Sequence, residues 1–280
     1  APEGKTFFVI DALNGDMVRD FEIPNGSPAA PPVAIPPAPQ DPPLTNFLVA
    51  PTVYYDENVD PLDPTRIESS SQFQFIGHPM TVKVRTVYFG DIHGRIWRYN
   101  AKTPAAAPAV FFQAPAGSDG NQPFATAVTV IAEPGVAGNV LVYAESGHDR
   151  RVTPQANKPF KSYAWRDVNG TRSDIFVQDF PADYRGTVQP AGGFISSTEP
   201  VVFYAGVRFT GACVSVFDSI LYAFKALSTT GSPEAAFDLD GSTGEDPFML
   251  IAGNKVNAIR VSSEGTLVID QGLNAQNPPP

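Results

Sequence analysis

Two stretches of this chain share one pattern: an apolar run, a turn at a glycine, and a second β-type run. They span residues 7–16 and 87–100. In the second stretch, Gly94 supplies a turn that tolerates positive φ, and Ile96 and Trp97 restart the apolar run. A hairpin that recurs with aromatic residues is typical of a β-propeller blade. The pattern therefore predicts an antiparallel, all-β fold.

The composition agrees with many short strands joined by turns. The 280 residues include 29 Pro, 23 Gly and 20 Phe, and only 17% are charged, which does not suit a helical bundle. Asn169-Gly170 is the strongest hairpin dipeptide and predicts a turn between strands at 161–165 and 175–180. Further predicted strands lie at 47–55, 110–113, 125–132, 140–145, 187–189, 201–205, 220–226, 249–251, 258–261 and 266–269.

These runs define the expected domain organisation. We expect about four to five blade-like units in one propeller-like domain over residues 1–270. A proline-rich insertion at 24–43 and a C-terminal tail at 271–280 lie outside the sheets.

Charge and cysteine content exclude several classes of protein. The net charge of −10 argues against a nucleic-acid partner, because phosphate binding needs a basic face. Cys213 is the single cysteine, so neither an intrachain disulfide nor a cysteine-rich zinc site is expected. Without Cys-x-x-Cys-His or vicinal cysteines, we expect neither c-type haem nor pyrroloquinoline quinone (PQQ). The start at Ala1 has no signal-peptide pattern, which predicts a processed chain or a piece of a longer one.

Motifs along the chain follow one another in a recognisable order. Residues 8–15 match Leu-Tyr-Val-Leu-Asp-x-x-x-Gly, residues 49–53 match an Ala-Pro strand, and residues 87–98 match Val-Tyr-x-Gly-Asp-x-x-Gly-x-Leu-Trp-Arg. Residues 122–128 and the block 187–241 continue the series. In this order the sequence resembles the C-terminal propeller of PilY-type proteins, the tip-associated adhesins and assembly factors of bacterial type IV pili. The resemblance covers nearly the whole chain, and only residues 87–98 are specific by themselves.

The resemblance implies a fold, a function and a location. The fold is an irregular, quinoprotein-like β-propeller, which we expect another chain or segment to complete because the leading blades of the family are missing. The implied function is non-enzymatic: pilus biogenesis and surface attachment, with minor pilins or other pilus subunits and a surface or host ligand as partners. The implied location is extracellular, at the pilus tip or the outer membrane. Two alternatives stay open, a quinoprotein-like enzyme fragment and an envelope assembly scaffold.

The first of two acidic loops has oxygen-bearing side chains at a spacing that suits calcium. Asp56, Asn58 and Asp60 alternate and Asp63 follows, while Pro61 occupies the place of the usual turn glycine. By position, the loop matches the calcium loop of the PilY family, in which occupancy is implied to regulate pilus retraction. A calcium site and a solvated acidic loop both stay open.

The second acidic loop has glycines that allow tight wrapping around an ion. Its oxygen donors are Asp238, Asp240, Ser242 and Asp246. Asp-x-Asp-Gly is also an ordinary turn, so calcium binding and a solvated turn are again both open.

Histidines and aromatic residues have structural interpretations. The three histidines are isolated, and no spacing predicts a hydrolytic Ser-His-Asp triad, so we expect turn or surface positions for them. The aromatic residues are expected to pack between sheets rather than to form a glycan platform. These aromatic residues are Tyr54, Tyr55, Phe73, Phe75, Trp97, Tyr99, Trp165 and Tyr184.

Overall fold

The computed structural model describes much of the chain. The described residues are 5–10, 14–24, 48–55, 72–75, 78–81, 84–115, 122–136, 138–147, 159–182, 184–196, 198–209, 217–230, 233, 235–240, 248–252, 255–261 and 267–274. From residue 235 onward, and in the hairpin over 72–81, the backbone alone is described.

Within the described residues, all regular secondary-structure elements are β-strands. In chain order the strands are β1 (Thr6–Ile10), β2 (Met17–Glu22), β3 (Thr52–Tyr55), β4 (Gln72–Phe75), β5 (His78–Thr81), β6 (Val84–Gly90), β7 (Arg95–Asn100), β8 (Ala109–Gln113), β9 (Thr129–Ala132), β10 (Asn139–Glu145), β11 (Lys161–Val168), β12 (Thr171–Asp179), β13 (Arg185–Gly186), β14 (Ala191–Ser196), β15 (Glu199–Phe209), β16 (Phe217–Lys225), β17 (Ala235–Asp240), β18 (Phe248–Ala252), β19 (Lys255–Val261) and β20 (Leu267–Asn274).

Antiparallel pairing joins these strands into sheets. The first blade has the order β3-β6-β7-β8, and the second blade has the order β12-β11-β10-β9. The third blade contains β15, β16 and β17, and β13 and β14 pair with successive parts of β15. The remaining strands form the hairpin sheet β1-β2, the small hairpin β4-β5 and the terminal sheet β18-β19-β20. The prediction of an antiparallel all-β fold is confirmed, and the meandering sheets are propeller-like.

Aromatic side chains fill the spaces between successive blades. Trp165 of the second blade stacks on Tyr163 and lies 4.5 Å from Phe112 of the first blade, measured between ring centroids. On the other side of the second blade, the rings of Phe176 and Phe224 are stacked with centroids 4.7 Å apart. Two buried apolar clusters therefore lie on opposite sides of the second blade. Burial of large rings is a major stabilising contribution to such a stack.

The predicted core role of the aromatic residues is confirmed where their side chains are described. Tyr54, Trp97, Tyr99 and Trp165 are each 6% exposed or less, so these four rings are unavailable to a glycan. Tyr184 is partly buried against the cluster between the second and third blades. The side chains of Tyr55, Phe73 and Phe75 lie outside the described residues.

Strands β3, β9 and β14, one from each blade, lie side by side at their starting ends. The Thr52 hydroxyl donates to the Val128 carbonyl at 2.6 Å, and Gln189 Nε2 donates to the same carbonyl at 2.8 Å. These residues lie at the beginning of β3, β9 and β14. We name this side of the blades the entry edge and the opposite side the exit edge. Because neighbouring strands are antiparallel, the strands that end at the entry edge are β6, β8, β10, β12, β15 and β17.

Strand limits differ from the predicted ones at several places. Of the predicted run 125–132 only Thr129–Ala132 is a strand, and Phe124, the residue before the run, forms an isolated bridge with Gly147. Residues 187–189 form no strand, and the Val188 N–H donates to a Glu145 carboxylate oxygen. Strand β20 continues to Asn274, so residues 271–274 belong to the terminal sheet rather than to the predicted tail.

Several strands are additions to the predicted set. They are β4, β5, β13, β14 and β17. Strand β14 contains Gly192 and Gly193, and glycine is depleted in strands, so its sequence carries a weak signal. Pairing with β15 supplies the backbone hydrogen bonds that local propensity does not favour.

Candidate functional site

The hairpin with the most specific sequence motif is organised by one buried carboxylate. Asp91 directly follows β6 and is 0% exposed. It accepts hydrogen bonds from the backbone N–H of His93 and Arg95, from Arg95 Nε at 2.7 Å, and from Trp97 Nε1 at 2.9 Å. Arg95 Nη2 lies 2.7 Å from the same carboxylate and donates to the Pro24 carbonyl. The motif therefore builds a buried ion pair that holds the turn, which is a structural role.

His93 lies in this turn and is buried, in agreement with the turn position expected for it. Gly94 beside it has φ +76°, as the sequence predicts. Burial lowers the pKa of the His93 imidazole; the charge of Asp91 opposes this shift, and the charge of Arg95 reinforces it. Its Nε2 has no hydrogen-bond partner among the described residues. The imidazole is thus neutral and packed, so it contributes to folding stability in a pH-dependent way.

The same backbone hydrogen bond occurs twice at the entry edge. In the first and second blades, the residue after the second strand accepts a hydrogen bond from the segment that leads to the next blade. The Phe124 N–H donates to the Asp91 carbonyl at 3.0 Å, and the Gly186 N–H donates to the Ser146 carbonyl at 2.9 Å. The second contact needs a glycine, because a Cβ at Gly147 would lie 2.7 Å from the Gly186 nitrogen. These repeated contacts fix how one blade follows another.

A buried polar cluster joins the first two blades near the exit edge. The Asp167 carboxylate accepts hydrogen bonds from the Tyr88 hydroxyl, from Arg98 Nε and from the Gly170 N–H. Burial and the neighbouring Asp167 charge raise the pKa of Tyr88 well above its ordinary value, so the phenol stays protonated and donates. Asp167 lies 79 residues from Tyr88 and 69 from Arg98 along the chain, so sequence spacing carries no signal for this cluster.

Strand β3, which precedes the first predicted calcium loop, and strand β17, which begins the second, end at different edges of the sheets. Residues of the first loop follow β3, which ends at the exit edge, and all four lie outside the described residues: Asp56, Asn58, Asp60 and Asp63. In the second loop Asp238 and Asp240 belong to β17, where the backbone alone is described, and Ser242 and Asp246 lie outside the described residues. Strand β17 ends at the entry edge, since Asp240 pairs with Ser219 near the start of β16.

The hairpin sheet β1-β2 covers the first blade with one face and exposes the other. Phe7 lies 4.8 Å from Phe89 and 5.2 Å from Tyr99 between ring centroids. The β1-β2 hairpin carries four of the eight large exposed hydrophobic side chains found in the described residues. These four side chains, which we name the hairpin apolar face, are Phe8 (53% exposed), Ile10 (58%), Met17 (61%) and Val18 (45%).

The sequence contains a signal for the hairpin apolar face, which is a run of consecutive apolar residues rather than an alternating pattern. Residues 7–10 are four consecutive apolar residues, and such a run is typical of a strand covered on both faces. Because successive side chains of a strand point to opposite faces, Phe7 and Phe8 lie on opposite sides of the sheet. Phe7 packs on Phe89, whereas Phe8 is exposed.

Other classes of site are absent from the described residues. That part of the chain has no group of three or more His, Cys, Asp or Glu side chains that could hold a metal ion. It also has no helix that is both long and apolar enough to span a membrane.

These observations define an antiparallel β protein built of stacked, blade-like sheets. No family model matches the chain, and no curated protein matches it. Among solved structures, one that matches is the crystal structure of the Pseudomonas aeruginosa PilY1 C-terminal domain, with a TM-score of 0.44 and 11% sequence identity. The match covers 95% of this chain and 66% of that chain. The chain is therefore distantly similar to that domain.

Proposed function

We propose that this chain is a non-enzymatic cell-surface protein that acts in type IV pilus biogenesis and surface attachment. Its proposed partners are minor pilins or other pilus subunits and a surface or host ligand, and its proposed place is the pilus tip or the outer membrane. The order of the sequence motifs, above all residues 87–98, supports the pilus assignment. The blade-like sheets support a protein that works through its surfaces.

The hairpin apolar face is the observation that carries a binding function. Large apolar side chains that are exposed next to one another mark interaction sites more often than scattered ones do. Phe8 and Ile10 extend from β1, and Met17, the register partner of Ile10, extends from β2. The sheet that bears them is already anchored on the first blade through Phe7.

The position of this face suggests what covers it. The first and second blades pack face to face through rings, and the hairpin sheet packs on the first blade in the same way. The hairpin apolar face is the next face in this stack. We propose that a sheet from another chain or segment continues the stack there, and thereby completes the propeller.

The test compares two double variants in a bacterium that produces this protein. Phe8→Ser with Ile10→Thr removes apolar area from the hairpin apolar face. Val110→Ser with Val177→Thr is the matched control, because these side chains are 47% and 46% exposed on the outer strands of the first and second blades. We expect the first variant to lose surface pili and attachment, and the control to keep both.

Folding and the pilus assignment are checked separately. Circular dichroism of both purified variants should match the parent chain, because exposed substitutions change stability little. Normal pili with the hairpin variant would contradict the proposed surface, and normal pili after deletion of the gene would contradict the pilus function itself. In the latter case the envelope scaffold would be the better proposal.

Calcium is the proposed cofactor, with Asp56–Asp63 and Asp238–Asp246 as the two candidate loops, and neither haem nor PQQ is proposed. Side-chain oxygens at alternate positions suit this hard cation. Strand β3, which precedes the first loop, and strand β17, which holds Asp238 and Asp240, end at opposite edges of the blades, so we propose that each loop acts alone.

A further inference from the structure

The chain contains three Asn-Gly sequences, and two of them lie in turns with very different surroundings. Asn-Gly is prone to spontaneous deamidation, because glycine has no side chain to hinder attack of its nitrogen on the asparagine amide. Asn14-Gly15 lies between β1 and β2, and Asn169-Gly170 lies between β11 and β12. The third sequence, Asn25-Gly26, lies outside the described residues.

Asn169-Gly170 is held in a form that resists this reaction. The two residues have φ of 52° and 99°, as a two-residue hairpin turn requires. The Gly170 N–H, whose nitrogen is the attacking atom, donates to Asp167 Oδ1. Asp167 is itself buried and bound by Arg98. The attacking nitrogen must lose its proton, and the nearby carboxylate disfavours the negative amidate that forms.

Asn14-Gly15 has the opposite arrangement. Asn14 Oδ1 accepts a hydrogen bond from the Asp16 N–H at 2.9 Å, which withdraws electron density from the amide carbon. Both Asn14 and Gly15 are exposed, and among the described residues no atom outside Asn14, Gly15 and Asp16 lies within 4 Å of the place where a Gly15 Cβ would be. Water and hydroxide therefore reach this turn, and there is room for ring closure.

We infer that Asn14 is a site of spontaneous deamidation and isoaspartate formation, and that Asn169 is protected. The Gly15 nitrogen loses its proton to hydroxide and attacks the side-chain carbon of Asn14. A new C–N bond forms, the bond to the side-chain nitrogen breaks, and ammonia leaves with a proton from water. Water then opens either carbonyl of the cyclic imide, which yields aspartate or isoaspartate without any oxidant.

The modification would alter the hairpin apolar face. It places a carboxylate at the tip of the hairpin, next to the Ile10–Met17 pair that forms its last register contact. Isoaspartate also adds a methylene to the backbone of the turn. The inference depends on the two turns alone, so it stands or fails separately from the proposed function.

The experiment follows both sites in the intact, folded chain at 37 °C and mildly alkaline pH. Trypsin releases Asn14 in peptide 6–19 and Asn169 in peptide 167–172, which mass spectrometry resolves from each other. A protein isoaspartate methyltransferase labels the isoaspartate product. A sample unfolded in urea at the same pH measures the rates without the fold, and the Asn14→Gln variant removes the proposed site.

We expect Asn14 to react about ten- to hundredfold faster than Asn169. This factor corresponds to one hydrogen bond to a charged group, because the bond from the Gly170 N–H to Asp167 must break before Asn169 can react. In urea the two rates should converge, and Asn14→Gln should remove the early acidic species on isoelectric focusing. Equal rates in the folded chain, or faster reaction at Asn169, would overturn the inference. So would a rate difference that persists unchanged in urea, because it would then come from local sequence.

Discussion

Replacing Asp91 with alanine tests whether the most specific motif of the chain is structural. The change removes the acceptor of hydrogen bonds from Arg95 and Trp97 and leaves the Arg95 guanidinium buried, 2% exposed, without its carboxylate. Removing one partner of a buried ion pair costs about 3–5 kcal/mol. For a chain of this size, that corresponds to a melting temperature lower by roughly 6–20 °C. Urea unfolding followed by circular dichroism measures the loss.

An exposed ion pair provides the matched control. Lys161 Nζ lies 2.5 Å from Asp179 Oδ1, but the Asp179 side chain is 53% exposed, so Asp179→Ala should cost at most about 1 kcal/mol. Asp91→Ala combined with Arg95→Met should be less destabilising than Asp91→Ala alone, because the buried guanidinium charge is removed together with its carboxylate. If Asp91→Ala costs no more than Asp179→Ala, the argument from burial is refuted.

Three further predictions concern backbone geometry, pH and calcium. Gly147→Ala should lower the free energy of unfolding by more than about 1 kcal/mol, because Gly147 has φ +129° and packs against Gly186; the same urea titration measures this. Burial lowers the pKa of His93 from 6.5 in the folded chain, so the unfolded state binds the proton more readily. Stability should therefore fall as pH is lowered below about 6.5, and unfolding curves of His93→Gln should lack this part. Calcium should raise the melting temperature, and Asp240→Ala and Asp60→Ala should each remove an independent part of the shift; an unchanged melting curve with millimolar calcium and with chelator would contradict both sites.

Much of the strand content could be predicted from the sequence, because turn chemistry and side-chain alternation act over a few residues. Asn169-Gly170 predicts its hairpin, since few other residues adopt the positive φ of both turn positions. Gly94 likewise marks the turn after Asp91. Strand β14, with Gly192 and Gly193, escaped prediction because its stability comes from pairing with β15 rather than from its own residues.

The functional surfaces depended on information that is not local. Alternation shows that Phe7 and Phe8 lie on opposite faces of a strand, but only the packed structure shows which face meets Phe89 and which meets solvent. The Asp167 cluster depends in the same way on which blade follows which, since its partners come from another sheet. By itself, then, the sequence determined many of the strands and the turns that join them. The tertiary structure decided which apolar face is covered and which charges are paired, because burial and pairing depend on contacts between residues far apart in the chain.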